Sequence, residues 1–303
     1  MAAMQRALPG SSKAVSRPKI AAVLLAMLVT SAYAANCAYA AESPQLSPDQ
    51  ERLLNSATTV AMQYTHDLPD FICTQITHRA ITKSLDGNLG TGVSGRSTIA
   101  SMANSVSFSS DVIEEQLTYV GGKESYEVLT VDGKKVKGVD HMKFAGAISE
   151  GEFGSVLVEI FDPASHTTFT WSHVANVHGR HAWVYDFLVP KDAGTSVIAT
   201  DIDKEIIVST SGQVFIDPET SEVLQMTSKL NLPANFPIHV AQRTIEYAPQ
   251  DIAGKSYSLP ARSLVHMEDA GHFYDNKIEF KNYHRFASES TLHFDQNSPA
   301  TDH

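Results

Sequence analysis

The sequence predicts an α+β fold: a curled antiparallel sheet with an N-terminal helix and an inserted helix packed on its concave face. Three observations carry that prediction. From residue 71 onward, runs rich in Val, Ile, Thr and aromatic residues alternate with Gly, Asp, Asn and Pro turn chemistry. Only two segments change to the 3.6-residue period of a helix, and each follows a Ser-led capping box. No Pro/Ser-rich linker or low-complexity tract divides the chain after residue 40. Its strands are therefore expected to share one sheet, and a meander that long must curl or close.

The first forty residues read as an export signal. Lys13, Arg17 and Lys19 precede the apolar run Ile20–Val29, and small-residue sites follow, which is the charge, apolar-core and cleavage order of a secretory signal peptide. The run is too short for a comfortable membrane span. The expected organisation is a signal peptide over 1–40, removed by signal peptidase, and a single domain over 41–303 in the periplasm or outside the cell. Cleavage after Ala32-Tyr33-Ala34 keeps Cys37 and allows a Cys37–Cys73 disulfide, whereas cleavage after Ala38-Tyr39-Ala40 leaves Cys73 as the lone thiol. A lipidated Cys37 would need a Leu and a small last residue before it, which Ala34-Ala35-Asn36 does not supply. The first forty residues hold four basic and no acidic side chains, so their removal takes the formal charge from −11 to −15. Such a balance argues against nucleic acid and against anionic headgroups as partners.

The domain opens with Ser47-Pro48-Asp49-Gln50, with Ser47 as N-cap, Pro48 at the first helical position and Gln50 closing the capping box. Leu53, Leu54, Ala57, Val60, Ala61 and Tyr64 then share a helical face until Asp67-Leu68-Pro69 stops it. From Phe71 to Thr77 the pattern is β, and Leu85-Asp86-Gly87-Asn88 is a turn. Residues 89–110 are Gly- and Ser-rich and predict a loop or a ragged edge strand. Val112–Val120 and Tyr126–Val131 follow as strands, with a turn at Val131–Lys134.

A second helix is expected from Glu150 to Phe161, behind the capping box Ser149-Glu150-Gly151-Glu152. Phe153, Val156, Leu157, Ile160 and Phe161 form its apolar face. Burial of each stabilises by about 1.5–3 kcal/mol, so the face must be covered. Gly151 and Gly154 fall in the first turn of this helix, where glycine weakens helical structure. Strands resume with Thr167–Val174 and His181–Leu188 around a turn at Val177–Arg180. Next come Ile206–Ser209 and Gln213–Ile216 around a turn at Thr210–Gly212. The Asp217-Pro218-Glu219-Thr220 turn leads into Val223–Leu230, and Ala241–Tyr247, Tyr257–Met267, Lys277–Phe286 and Ser290–Phe294 complete the series.

A leading helix, strands, an inserted helix and a longer meander resemble the lipoprotein-carrier (LolA/LolB-like) half-barrel of bacterial envelopes. The stretch Val214–Leu224, with its Asp-Pro-x-Thr turn, is similar to a hairpin common in that superfamily. Finer wording resembles a group of uncharacterised exported bacterial proteins: Leu68–Gln75, Gly151–Gly154 with Ile160–Ser165, and Ile278–Phe286. The half-barrel resemblance implies a hydrophobic groove with acyl chains as the usual occupants. No motif here matches a carrier's binding-residue set.

No motif nominates a catalytic set, metal or cofactor. His178-Gly179-Arg180-His181 has metal-like spacing, but a bend at Gly179 places the imidazoles on different sides of a turn and no third ligand is at hand. Asp201-Ile202-Asp203-Lys204-Glu205 lacks the Gly and late Glu of a calcium loop. Gly92-Val93-Ser94-Gly95-Arg96 lacks the last Gly of a nucleophile elbow. Cys73 has no neighbour that would lower its pKa. Trp183, Tyr185 and Phe187 share one strand face, with Trp171 nearby, which is the ordinary pattern of a packed core. The ligand-groove candidates are Phe153, Val156, Leu157, Ile160, Phe161, Trp183 and Tyr185. Two functions stand open: a non-catalytic binding protein for a hydrophobic small molecule, lipid or lipoprotein, and an interaction scaffold with a filled groove. A secreted hydrolase is the third.

Overall fold

The computed structural model describes residues 45–84, 106–141, 147, 151–199 and 204–286. The first helix, α1, spans Pro48–Asp67 behind the expected capping box. The Gln50 N–H donates to the Ser47 hydroxyl at 3.3 Å, and the Ser47 N–H donates to the Gln50 side-chain oxygen at 2.8 Å. Leu53, Ala57 and Ala61, one helical turn apart, form its most buried line. The two alanines let the helix backbone lie close to its support.

That support is a sheet built from β1 (Phe71–Ser84), β2 (Val106–Val120), β3 (Lys123–Val131), the two-residue β4 (Lys134–Lys135), β5 (Thr168–Val177) and β6 (Arg180–Val189). It continues with β9 (Thr210–Ile216), β10 (Val223–Leu230), β11 (Ile238–Ile252), β12 (Lys255–Asp269) and β13 (His272–Arg285), while β7 (Thr195–Ala199) and β8 (Lys204–Val208) pair separately. The 11-stranded order is β4-β3-β2-β1-β13-β12-β11-β10-β9-β6-β5. The sheet is antiparallel and curled but not closed into a barrel. Two short turns show how hairpins hold it. Asp132-Gly133 (φ 49° and 72°) and His178-Gly179 (φ 49° and 87°) both adopt the positive φ that matches strand twist in two-residue hairpins.

The chain departs from simple sequence order at two places. First, β1 lies between β2 and β13, so the first long strand pairs with the last over Phe71–Lys83 and Arg285–His272. Second, β9 pairs directly with β6 because β7 and β8 fold out into their own two-stranded ribbon. The expected turn at Thr210–Gly212 is therefore strand. Gly212 serves close approach rather than a bend: a Cβ there would stand 1.9 Å from the Thr227 carbonyl oxygen and 2.9 Å from the Phe187 ring. The Asp217 turn forms as expected. Its carboxylate accepts from the N–H groups of Glu219 (2.7 Å) and Thr220 (3.2 Å) and from Arg180 Nε (2.9 Å). Burial alone would raise the Asp217 pKa, yet these donors hold it below the usual carboxylate value.

The inserted helix, α2, is shorter than its sequence suggests. It spans Ser155–Phe161, and its N-cap is Gly154, with no side-chain cap. The expected capping box, Ser149-Glu150-Gly151-Glu152, begins at two residues outside the described ones. Glu152 precedes the helix rather than standing at its third position; it is 1% exposed and sits 3.7 Å from Arg243. Gly151 and Gly154, at φ 89° and 150°, precede the helix rather than form its first turn. L side chains rarely adopt such positive φ, so both positions suit glycine. The turn at Leu85–Asn88, the stretch Gly92–Arg96, Asp201–Asp203, Cys37 and the strand at Ser290–Phe294 also fall outside the described residues.

Both helices pack on the concave face. One core cluster joins Leu53, Ala57 and Ala61 of α1 with Val156, Leu157, Ile160 and Phe161 of α2 over residues of β6, β9, β10 and β11. The Tyr185 hydroxyl donates to the Gln50 carbonyl at 2.9 Å and so ties β6 to the first turn of α1. A second cluster, around Phe71, Leu117, Phe153, Ile278 and Phe280, continues the core under the β1, β2 and β13 part of the sheet.

Candidate functional site

A pocket of about 290 Å³ opens between the C-terminal half of α1, the α2 residue Leu157 and the strand ends around β10, β11 and β12. Val60, Ala61, Tyr64, Leu157, Val223 and Tyr247 give it an apolar wall. Asp67, Glu222 and Lys255 bring charge of both signs to its lining, and Ser256 and Ser258 add hydroxyls. The helical spacing of Val60, Ala61 and Tyr64 explains why one stretch of α1 supplies half of the apolar wall.

Two wall residues are chemically unusual. The hydroxyl oxygens of Tyr64 and Tyr247 are buried and have no hydrogen-bond partner among the described residues. Burial pushes the Tyr64 phenol well above its ordinary pKa, with smaller contributions from Tyr247, Tyr119 and Glu124. Burial likewise pushes Tyr247 up; Arg243 pulls it down, while Glu152 and Glu124 add to the rise. Both are therefore neutral phenols at ordinary pH.

Beneath this wall, Glu124 of β3 fastens the entry to α2. Its carboxylate accepts from the N–H groups of Gly151 (3.0 Å) and Phe153 (3.1 Å) and from the Tyr126 hydroxyl. Burial raises the Glu124 pKa, and Glu152 adds to the rise, against the lowering effect of those donors. On the other side of α2, Glu159 accepts from the hydroxyls of Thr195 and Thr210.

The residues singled out in the sequence are distributed over two core clusters. Val156, Leu157, Ile160, Phe161, Trp183 and Tyr185 come together in the first cluster, and of these only Leu157 lines the pocket. Trp183 meets Trp171 edge-on, with ring centroids 5.3 Å apart. Phe153 lies in the second cluster, fully buried, with its ring 5.3 Å from Phe71 and 5.0 Å from Phe280. Tyr64 lies on the helical face that the sequence predicts, and its spacing does not mark it as a site residue. Tyr247, Val223 and Lys255 carried no sequence signal beyond strand and turn patterning.

The other candidates take ordinary structural places. His178 Nε2 lies 3.1 Å from Glu246, while His181 is exposed on the far side of the hairpin turn. Among the described residues no group of three His, Cys, Asp or Glu side chains is placed to hold a metal ion, and no helix is long and apolar enough to cross a membrane. Cys73 is a buried free thiol; burial, with Glu124 adding, pushes its pKa up to about 12.

No protein-family model matches the chain, and no curated protein matches it. Several solved structures align with it. A LolA superfamily protein from Nitrosomonas europaea aligns at 10% identity and a TM-score of 0.32, covering 77% of this chain and 91% of the other. A putative outer membrane lipoprotein-sorting protein domain from Vibrio parahaemolyticus aligns at 13% identity and a TM-score of 0.33, covering 77% and 92%. A DUF1329 family protein from Desulfovibrio piger aligns at 11% identity and a TM-score of 0.34, covering 80% and 97%.

Proposed function

We propose that this chain is an exported, non-catalytic binding protein of the cell envelope. It holds a hydrophobic small molecule, or the acyl chain of a lipid or lipoprotein, against the concave face of its sheet. The observation that carries this is the pocket of about 290 Å³ walled by α1, Leu157 and the strand residues Val223 and Tyr247. Its volume stands near the lower end of the ~300–1,000 Å³ of small-molecule sites, and its wall is apolar with a few polar groups, which is the usual composition. Leu157 touches the ligand from α2. Val156, Ile160, Phe161, Trp183 and Tyr185 hold the helix in place behind it, and Phe153 locks the loop that precedes it.

The second reading is an interaction scaffold. It is favoured by the packed centre beneath α2, where Val156, Ile160, Phe161 and Tyr185 are all 5% exposed or less. The two readings part on whether the pocket takes a ligand. Titration of the protein with a fluorescent, environment-sensitive fatty-acid probe tests this, with Val60→Trp as comparison. Val60 is 36% exposed on α1 and lines the pocket, so a Trp there fills space without disturbing the core. Saturable binding by the parent, weakened about tenfold or more (~1.4 kcal/mol) in Val60→Trp, is expected. A folded parent that binds nothing leaves the scaffold.

A further inference from the structure

We infer that β5, an edge strand of the sheet, is a self-association surface: two copies of the chain pair their β5 strands antiparallel about a two-fold axis. None of its residues lines the pocket, so this surface stands apart from the binding function proposed above. Thr168–Val177 is held by β6 on one side, and among the described residues no strand pairs with its other side. Such an edge presents a row of N–H and C=O groups that the sheet leaves unmatched. Proteins ordinarily guard it with charge, proline or a very short strand. The opposite edge of this sheet is guarded in that way. It ends in the two-residue β4, Lys134–Lys135, beside Lys123 and Glu127 of β3. By contrast, β5 runs for 10 residues without an Asp, Glu, Lys, Arg or Pro. Its irregularity, a bulge between Trp171 and His173, leaves regular strand on both sides.

A second copy is the occupant that fits this edge. An antiparallel edge complements its own two-fold image, because an outward N–H of one strand then meets an outward C=O of the other. Charge decides where two acidic molecules can meet. The chain carries a formal charge of −11, which opposes self-association, but β5 adds nothing to that repulsion at the contact. One strand in, on β6, Asp186 accepts from Gln213 at 2.7 Å and Arg180 donates to Asp217 at 2.9 Å, so both are matched within the protomer. Apolar surface flanks the edge as well. Val174, 51% exposed, stands opposite Trp183, whose ring meets that of Trp171 edge-on. Leu188, 44% exposed, stands opposite Thr168. Laying one β5 along another covers part of this surface on both protomers. The pair forms one continuous sheet whose two remaining edges are the lysine-bearing β4 ends, so association stops at the dimer.

The test is sedimentation velocity of the purified protein over a concentration series, with hydrogen exchange of β5 measured at both ends of the series. The parent is expected to pass from monomer to dimer as concentration rises, and β5 amides to exchange about tenfold or more slowly in the dimer. Val174→Lys places a cation at a half-exposed position of the contact, and the two-fold axis supplies a second one; like charges across a strand pair oppose pairing. It should raise the dimer dissociation constant by about tenfold or more and leave the circular dichroism melt of the dilute protein unchanged. Thr168→Lys, also at an exposed position, asks the same question near the other end of the strand if Val174→Lys does not fold. An equimolar mixture of Val174→Lys and Val174→Glu should regain the dimer that each alone has lost. A parent that stays monomeric throughout, with β5 amides in free exchange, overturns the inference and leaves the edge to a strand of another protein. A dimer whose β5 amides exchange as in the monomer, or that folded lysine variants form unchanged, overturns it too, because the contact then lies elsewhere.

Discussion

Gly212 shows how much a single side chain decides in this sheet. It lies in β9, paired with Phe187 of β6 and Ser228 of β10, and the space for a Cβ is already filled. The nearest atom is a backbone carbonyl oxygen, which cannot rotate away as a flexible side chain would. Gly212→Ala is expected to destabilise the protein by roughly 1–3 kcal/mol through overpacking. A urea midpoint lowered at unchanged slope would show it; an unchanged midpoint would mean that β9 and β10 separate there without cost. Cys73 is the opposite case. Its thiol fits a site that asks only for a small apolar group, and its raised pKa follows from burial.

At the scale of elements, the entry to α2 is the segment most dependent on a remote partner. Seven residues are too few to make a stable helix alone, so tertiary contacts must hold it. Glu124 supplies one such contact by accepting from two backbone N–H groups that the glycine-bent loop presents. The same burial raises its pKa, which fixes the sign of the pH dependence. A carboxyl whose folded pKa exceeds its unfolded value binds more protons when folded, so stability falls as pH rises between the two values. The unfolded value is near 4.5. Wild-type urea midpoints are therefore expected to fall above pH 4.5 relative to those of Glu124→Gln. That variant keeps an acceptor for the loop but has no charge to desolvate. Parallel pH profiles for the two proteins would show that Glu124 does not feel its burial.

On the scale of the whole molecule, the pairing of β1 with β13 is the defining long-range contact. It brings Phe71 beside Arg285 and Lys83 beside His272, across nearly the full length of the described chain. This pair and the strands beside it carry the second core cluster, while α1 and α2 belong to the first. We propose that the single domain expected over 41–303 unfolds as one cooperative unit. Trp171 and Trp183 report on the β5–β6 end of the sheet, and far-UV circular dichroism reports on all of it. Their urea transitions should coincide. Two separated transitions would divide the sheet at the β1–β13 seam or at β10.

Local chemistry determined much of this architecture. Ser47 and Gln50 announce α1, the period-2 runs announce the strands, and Asp217-Pro218-Glu219-Thr220 announces its hairpin, because each of these acts over a few residues. The same local reading misjudged Ser211-Gly212 as a turn and began α2 too early. A glycine that makes room for a neighbouring strand looks, in one dimension, like a glycine that bends the chain, and Glu152 resembles a capping residue until Arg243 arrives from β11. Tertiary structure alone brought Tyr64 of α1, Leu157 of α2 and Tyr247 of β11 to the wall of one pocket. Those residues are far apart along the chain, and their meeting depends on how the curled sheet carries β11 beneath α1. The pocket is a property of that curvature, which no short-range pattern encodes.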